Sequence, residues 1–197
     1  MMEVSKAIQA RRSVRRVKKS NQVDAKQIEA LMQKARFAPS AFNMQSNRAL
    51  VVMDEQNDRL WEIVEAELRK RVATEDFETT ANRLAGFRNG NGTILFFEDD
   101  ATLDQMRENA PSYADSFINW SYEGTALFQY ATWLLLEEAG LAASIQHYNP
   151  LIDENVAKEW GIPTTWRLIA QMPFGEADEE PGERSFLPFE EVVRIEA

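Results

Sequence analysis

Apolar residues recur along this chain in two periods, and the two alternate. Val4, Ala7 and Ile8 fall on one side of a helix over residues 2–12, the spacing of an amphipathic element. A basic run ends it. Asp24 caps a second helix, with Gln27 as capping-box partner and Val23 and Ile28 flanking the cap. Ile28, Leu31, Met32 and Ala35 continue its stripe, and Pro39 stops it, because the residue ahead of a proline avoids helical backbone. The unbroken apolar run Ala49–Met53 predicts a buried strand. Helical spacing returns over 57–73 through Leu60, Ile63, Val64 and Leu68. Residues 86–92, with two Asn-Gly pairs, predict a loop. Thr93–Phe97 is a second strand, stopped by Glu98, Asp99 and Asp100. Residues 115–140 carry the longest helical pattern. It is apolar on most sides between Ala126 and Leu136, which makes it a core helix, and Gly140 ends it. A third strand over 141–145, a helix over 151–160 and a fourth strand over 167–172 follow. Residues 173–184 are polar and rich in turn formers, and predict a mobile surface loop. The tail regains Phe186, Leu187, Phe189, Val192 and Val193. Such a tail has to dock, on its own domain or on a partner.

Composition narrows the chemistry. At 197 residues the chain suits a single domain over 1–197. Without cysteine it has no disulfide, no thiolate nucleophile and no iron–sulfur cluster. With His147 as its one histidine, it has no multi-histidine metal site within one chain. A net charge of −10 argues against a duplex-binding protein and against adhesion to an anionic membrane. The longest apolar stretch, 125–136, is shorter than the ~20 residues of a membrane span. The first residues lack the apolar core of a signal peptide, so a cytoplasmic protein is expected.

Three constellations remain as candidate chemistry. Arg11, Arg12, Arg15, Arg16, Lys18 and Lys19, with Ser13 among them, place six of the 22 basic residues within nine positions. They form either a phosphate site, which guanidinium groups bind bidentately, or a solvated run at a helix end. Residues 39–48 gather Ser40, Asn43, Gln45, Ser46, Asn47 and Arg48 behind Pro39. Amides offer donors and acceptors to the edge of a heterocycle, or else the segment is a polar connection. Ser144, Ile145, Gln146, His147 and Tyr148 follow the third strand. They are either a ligand loop held by the sheet or the approach to a helix that Asn149 caps and Pro150 begins.

The order and spacing of these segments resemble the FMN-dependent nitroreductase family. The resemblance rests on residues 10–15 (Ala-Arg-Arg-Ser-Val-Arg) and 38–46 (Ala-Pro-Ser-Ala-Phe-Asn-Met-Gln-Ser). It rests also on the long central helix and on Pro173-Phe174-Gly175 followed by a basic residue. Residues 144–150 (Ser-Ile-Gln-His-Tyr-Asn-Pro) resemble the subgroup named for fatty-acid repression mutants. The resemblance implies an α+β fold with a mixed, largely antiparallel sheet wrapped by helices. It implies an intertwined homodimer in which residues 173–197 form a loop and tail that dock on the partner.

What it implies for the site is also specific. Arg11 and Ser13 match phosphate and ribityl contacts, Arg12 a neighbour of the isoalloxazine, Arg15 a second cation and Arg184 the basic residue that reaches the phosphate. Pro39, Ser40, Asn43 and Gln45 match the loop laid against the flavin by the other chain. Ser144, Ile145, Gln146 and His147 match the strand end facing flavin N5. The implied activity is NAD(P)H oxidation with reduction of nitroaromatics, quinones or similar flat acceptors, by ping-pong hydride transfer through N5. No catalytic side chain or metal is implied, and neither nucleic acid nor membrane is a partner. An Asn and Lys pair that other nitroreductases carry has no placed counterpart in 57–92. Two other readings stand beside this one: a flavin-binding regulator or stress- and lipid-response sensor with little turnover, and a structural acidic dimer without flavin.

Overall fold

The structure, a computed structural model, describes residues 3–73, 75 and 77–196. In chain order the elements are α1 (Val4–Ala10), β1 (Val17–Lys18), α2 (Ala25–Ala35), β2 (Asn47–Met53), α3 (Glu55–Arg69) and α4 (Phe77–Arg88). Then come β3 (Gly92–Asp99), α5 (Asp100–Asn109), α6 (Phe117–Glu138), β4 (Ala142–Ala143), α7 (Asp153–Trp160), β5 (Trp166–Ala177) and α8 (Phe189–Val192). Short 3-10 turns occupy Ala41–Asn43 and Pro111–Ser116.

The sheet runs β1-β5-β3-β2, with β4 on β5, and every strand pair is antiparallel. One parallel bridge, Ser13 to Ala143, makes it mixed. This is the α+β architecture expected from the resemblance.

Strand periodicity builds the core. Successive side chains point to opposite faces, and in β3 both faces are covered. Ile94 and Phe96 join Ile28, Leu31, Phe128, Trp133 and Leu136 of α2 and α6. Leu95 and Phe97 join Leu60, Trp61, Val64, Leu84, Phe87 and Val156 of α3, α4 and α7. A smaller cluster of Met44, Leu103 and Phe117 closes the end of the sheet near α5.

The α2 cap forms as the sequence indicates: Asp24 accepts from Gln27 N–H, and the Gln27 side chain accepts from Asp24 N–H, both at 2.8 Å. No helix among the described residues is long and apolar enough to cross a membrane.

Several expectations are corrected. Part of the helix expected over 2–12 falls on residue 2, outside the described residues; the observed helix is Val4–Ala10 and stops at Arg11. The loop expected at 86–92 begins later, because α4 runs to Arg88. Its weak periodicity hid it; it is held by Phe77, Leu84 and Phe87, the last 5.0 Å from the Trp61 ring. Glu98, Asp99 and Asp100 do not simply stop a strand: β3 runs through Asp99 and α5 starts at once. The third strand is confined to Ala142–Ala143. Asn149 and Pro150, joined by a cis peptide, lie ahead of α7, whose cap is Ile152.

The surface loop expected at 173–184 is wrong in its first part. β5 continues to Ala177, with Phe174 fully buried and paired to Gly92 and Ala143. Gly175 permits this, since a Cβ there would stand 2.5 Å from the Lys18 carbonyl oxygen of β1. Beyond Ala177 the chain leaves the sheet, and Phe186, Leu187, Phe189, Val192 and Ile195 are each at least 65% exposed.

Phe96→Ala should therefore cost about 3–5 kcal/mol in urea unfolding, and Asp24→Ala only about 1 kcal/mol.

Candidate flavin site

The basic segment is tied into a knot of three chain segments. Helix α1 ends as Arg11 N–H bonds Ala7 O at 2.9 Å, and the chain turns extended. Ser13 bridges Ala143, and Val14 N–H bonds Ala143 O at 3.1 Å. The polar segment after β5 crosses this turn. Glu179 Oε1 accepts from the main-chain N–H of Arg15 and Arg16 at 2.6 and 3.2 Å. Arg12 donates to the Gly182 carbonyl. Arg184 donates to the carbonyls of Gln9 at 2.9 Å and Arg11 at 3.5 Å. Arg11, Arg12, Ser13, Arg15 and Arg184 thus come together, beside the strand end that carries Ser144.

Within the knot, Arg11 is the anomaly. Its guanidinium lies over the Trp133 ring, 4.3 Å from the centroid. Its Nε is buried without a hydrogen-bond partner, and so is Trp133 Nε1. Burial raises the nearby Glu137 carboxyl above its ordinary range, opposed by the charge of Arg11. Buried donors are normally paired, so an unpaired guanidinium nitrogen marks a place for an acceptor.

Residues 144–147 run beside β5. Gln146 exchanges both main-chain bonds with Gln171, at 2.7 and 2.9 Å. Its side chain donates to Ser144 Oγ at 3.0 Å, and Ser144 N–H reaches Pro173 O at 3.4 Å. The N–H groups of Ile145 and His147 make no hydrogen bond among the described residues. His147 is exposed and borders a 410 Å³ cleft with Tyr122 and Arg167.

The amide-rich loop is elsewhere. Phe42, Asn43 and Gln45 are left-handed, with φ of 54°, 51° and 48°. Such backbone costs about 1–3 kcal/mol per residue and survives only where neighbours over-determine it. Here Ser40 O and Oγ accept from Asn43 and Gln45 N–H, both at 3.0 Å, and Gln45 O accepts from Arg48 at 2.7 Å. The Phe42 ring sits 5.6–5.7 Å from the rings of Tyr113, Phe117 and Trp120. Exposed Pro39 opens the loop, and Ser40 and Gln45 line a 190 Å³ cleft with Arg36, Asn47, Arg48 and Phe128. Among the described residues, no hydrogen bond or cleft joins this loop to the arginine knot.

Beneath the loop lies a group that the sequence reading passed over. Glu98 is fully buried. Thr125 Oγ1 donates to its Oε1 and stands 3.1 Å from Asn47 Oδ1, while Asn47 Nδ2 donates to Gly124 O at 3.3 Å. Glu98 Oε2 and Ser46 Oγ are buried with no partner. Burial pushes the Glu98 carboxyl up to about 7, against the opposing charges of Arg167 and Arg48. Those arginines are committed: Arg48 to Asp99 at 2.7 Å, Arg167 to Asp100 at 3.0 Å. Position 98 continues the Ile94–Phe96 alternation inward, and that signal was available in the sequence. Trp133 gave none, because it lies in a helix apolar on most sides.

A model of the nitroreductase family matches residues 8–176. The chain belongs to the nitroreductase family. That membership makes it an oxidoreductase family member with the fold described above. The nitroreductase CinD of Lactococcus lactis, solved with chloramphenicol, is 39% identical, with a TM-score of 0.89 over 99% of this chain and all of that one. Nitroreductase FRM2 of Saccharomyces cerevisiae is 27% identical over 149 residues, 76% of this chain and 73% of its own. This likeness supports the fatty-acid-repression-mutant subgroup. The FMN-dependent nitroreductase NfnB of Mycobacterium smegmatis, solved with NADPH, is 16% identical and shares the fold, with a TM-score of 0.77 over 98% of this chain and 97% of its own.

Because the folded state raises the Glu98 pKa from 4.5 to about 7, it binds that proton more tightly than the unfolded chain. The stability so gained is complete below pH 4.5 and is lost as pH rises through 7. Denaturant unfolding at pH 5 and 8 should reveal this loss, on the order of 3 kcal/mol at 1.36 kcal/mol per unit. Glu98→Gln should lack it and be the more stable protein at pH 8.

Proposed function

We propose that this nitroreductase is a homodimeric, FMN-dependent NAD(P)H oxidoreductase that reduces nitroaromatics, quinones and similar flat acceptors. The observation that carries this reading is the unpaired, buried Nε of Arg11 inside the arginine knot. A phosphate oxygen is the acceptor such a donor set fits, with Arg11, Arg184 and the Ser13 hydroxyl around it. CinD, solved also with 4-nitrophenol, supports the acceptor class, and NfnB, described as FMN-dependent and solved with NADPH, supports the cofactor and donor.

When bound, FMN would supply the redox chemistry between NAD(P)H and a flat acceptor. The protein positions and tunes. Arg12 and Glu179 pin the segment that carries Arg184, so the phosphate meets cations already held in place. Arg15, exposed beside them, adds positive charge. Gln146 spends its main chain on Gln171, so the N–H groups of Ile145 and His147 are the donors left to face N5, with Ser144 and Gln146 bracing them. The pyrimidine edge needs amide and hydroxyl donors. Ser40, Asn43 and Gln45 behind Pro39 provide them, and since they lie apart from the knot, a second copy of the chain brings them. The exposed tail after Arg184 covers that copy, completing the single-domain unit as a dimer. The guanidinium groups of Arg11 and Arg184 would favour a bound group that gains negative charge. The reading includes a cytoplasmic location, where NAD(P)H is at hand.

Purified protein should carry FMN absorbance that NADH or NADPH bleaches under anaerobic conditions. Bound FMN with negligible steady-state turnover on any acceptor would instead favour the sensor reading. Arg11→Ala should weaken FMN binding by about tenfold or more, read as flavin passing a filter; unchanged occupancy would refute the phosphate assignment. Deleting residues 186–197 should shift sedimentation from dimer towards monomer and release flavin with it.

A further inference from the structure

The cleft beside His147 is built from four separate segments, and the flavin site leaves most of its polar groups without a task. Tyr122 comes from α6, Arg167 from β5, Asp153 from the first turn of α7 and His147 from the segment after β4, while Pro150 and Leu168 add apolar wall. Its 410 Å³ falls within the range of small-molecule sites, about 300–1,000 Å³. We propose that this cleft receives the electron acceptor, and that Tyr122 and Asp153 select neutral, flat molecules that carry a hydrogen-bond donor as well as an acceptor oxygen.

Arg167 organises the donor side. Its Nε and Nη2 hold the Asp100 carboxylate at 3.0–3.3 Å, and its Nη1 donates to the Tyr122 hydroxyl oxygen at 3.0 Å. The guanidinium carbon also stands 5.2 Å from the centroid of the Tyr122 ring. With its oxygen already accepting, Tyr122 has its hydroxyl hydrogen left to give, and no acceptor takes it among the described residues. A hydroxyl polarised by a charged donor is itself a stronger donor. Because Asp100 neutralises Arg167, the cleft gains a directed donor without a net positive charge. Asp153 is the acceptor side. Its Oδ1 is buried with no hydrogen-bond partner, and burial holds the carboxyl above its ordinary range. The carboxyl makes no hydrogen bond among the described residues, and it lines the cleft. An unpaired, largely desolvated carboxyl is costly, and a hydroxyl, amine or amide on the ligand relieves that cost. An anionic ligand meets a like charge there instead.

This rests on the proposed function, because His147 belongs both to the cleft and to the strand end assigned to the flavin. Three acceptors of nearly one size separate the chemistry: 4-nitrobenzamide carries an N–H donor, methyl 4-nitrobenzoate lacks one, and 4-nitrobenzoate is anionic. The holoenzyme should favour the amide over each of the others about tenfold in kcat/KM. Asp153→Asn replaces the charge with a group that can donate, and should abolish the preference over 4-nitrobenzoate. Tyr122→Phe should raise KM for all three about tenfold and keep the ratios among them. Equal kcat/KM for the three acceptors in wild type, or a preference that Asp153→Asn leaves intact, overturns the proposal and leaves the flavin reading standing. If Asp153→Asn does not fold, Tyr122→Phe at its exposed position decides, and an unchanged KM overturns the proposal. Calorimetry of 4-nitrobenzamide binding, without NAD(P)H, gives a readout apart from turnover. Binding that Tyr122→Phe weakens about tenfold, in a protein that holds no FMN, keeps the cleft assignment and loses the flavin reading. Absence of binding both with and without FMN overturns the proposal.

Discussion

Everything else in this fold rests on β3 being buried on both faces. Gly92–Glu98 has no exposed side, so each residue must find a partner above or below the sheet, and the two cores are simply its odd and even positions. The strand cannot slip by one residue without exchanging the two cores. The helices inherit that register: α2 and α6 sit where Ile94 and Phe96 point, and α3, α4 and α7 where Leu95 and Phe97 point. Glu98 is the price of the arrangement at its far end. The alternation that serves Phe96 delivers a carboxyl to the same side, under α6, where Thr125 meets it.

The parts legible in the sequence were those with a strong local signal. The α2 stripe and cap, the apolar run of β2 and the span of α6 are all set by short-range pattern. What escaped depended on contacts remote in sequence. α4 has no clear stripe and is a helix because Phe87 meets Trp61. Residues 173–177 read as a loop from their Pro and Gly, but Gly175 is there so that β1 can approach, which no local pattern states. At the site, the motifs located the arginines and the amides, yet not that Gln146 would be spent on Gln171, nor that Trp133 would lie beneath Arg11.

Charge in this protein is organised by place more than by sum. Several surface acids sit in ordinary ion pairs such as Arg69–Glu65 and Arg59–Glu62, each worth little. The basic residues of 11–19 stand apart, and only some of them pair with acids: Lys18 with Glu176, Lys19 with Asp54. Arg11 is turned inward onto an aromatic ring. A chain with net charge −10 can thus keep a locally arginine-rich segment, with Glu137 and Glu179 among the acids beside it.

The left-handed loop also sets a limit on how the protein could be made more robust. Glycine is the residue that adopts positive φ at no steric cost, so replacing Phe42, Asn43 or Gln45 with glycine removes local strain. It also frees the unfolded chain and deletes the ring that packs among Tyr113, Phe117 and Trp120 or the amides that point outward. An engineer selecting for low local strain would be drawn to these three positions, and would trade that strain for a looser mouth. Stabilising changes are better sought in the sheet and helix caps, away from the segment whose tension keeps it in one shape.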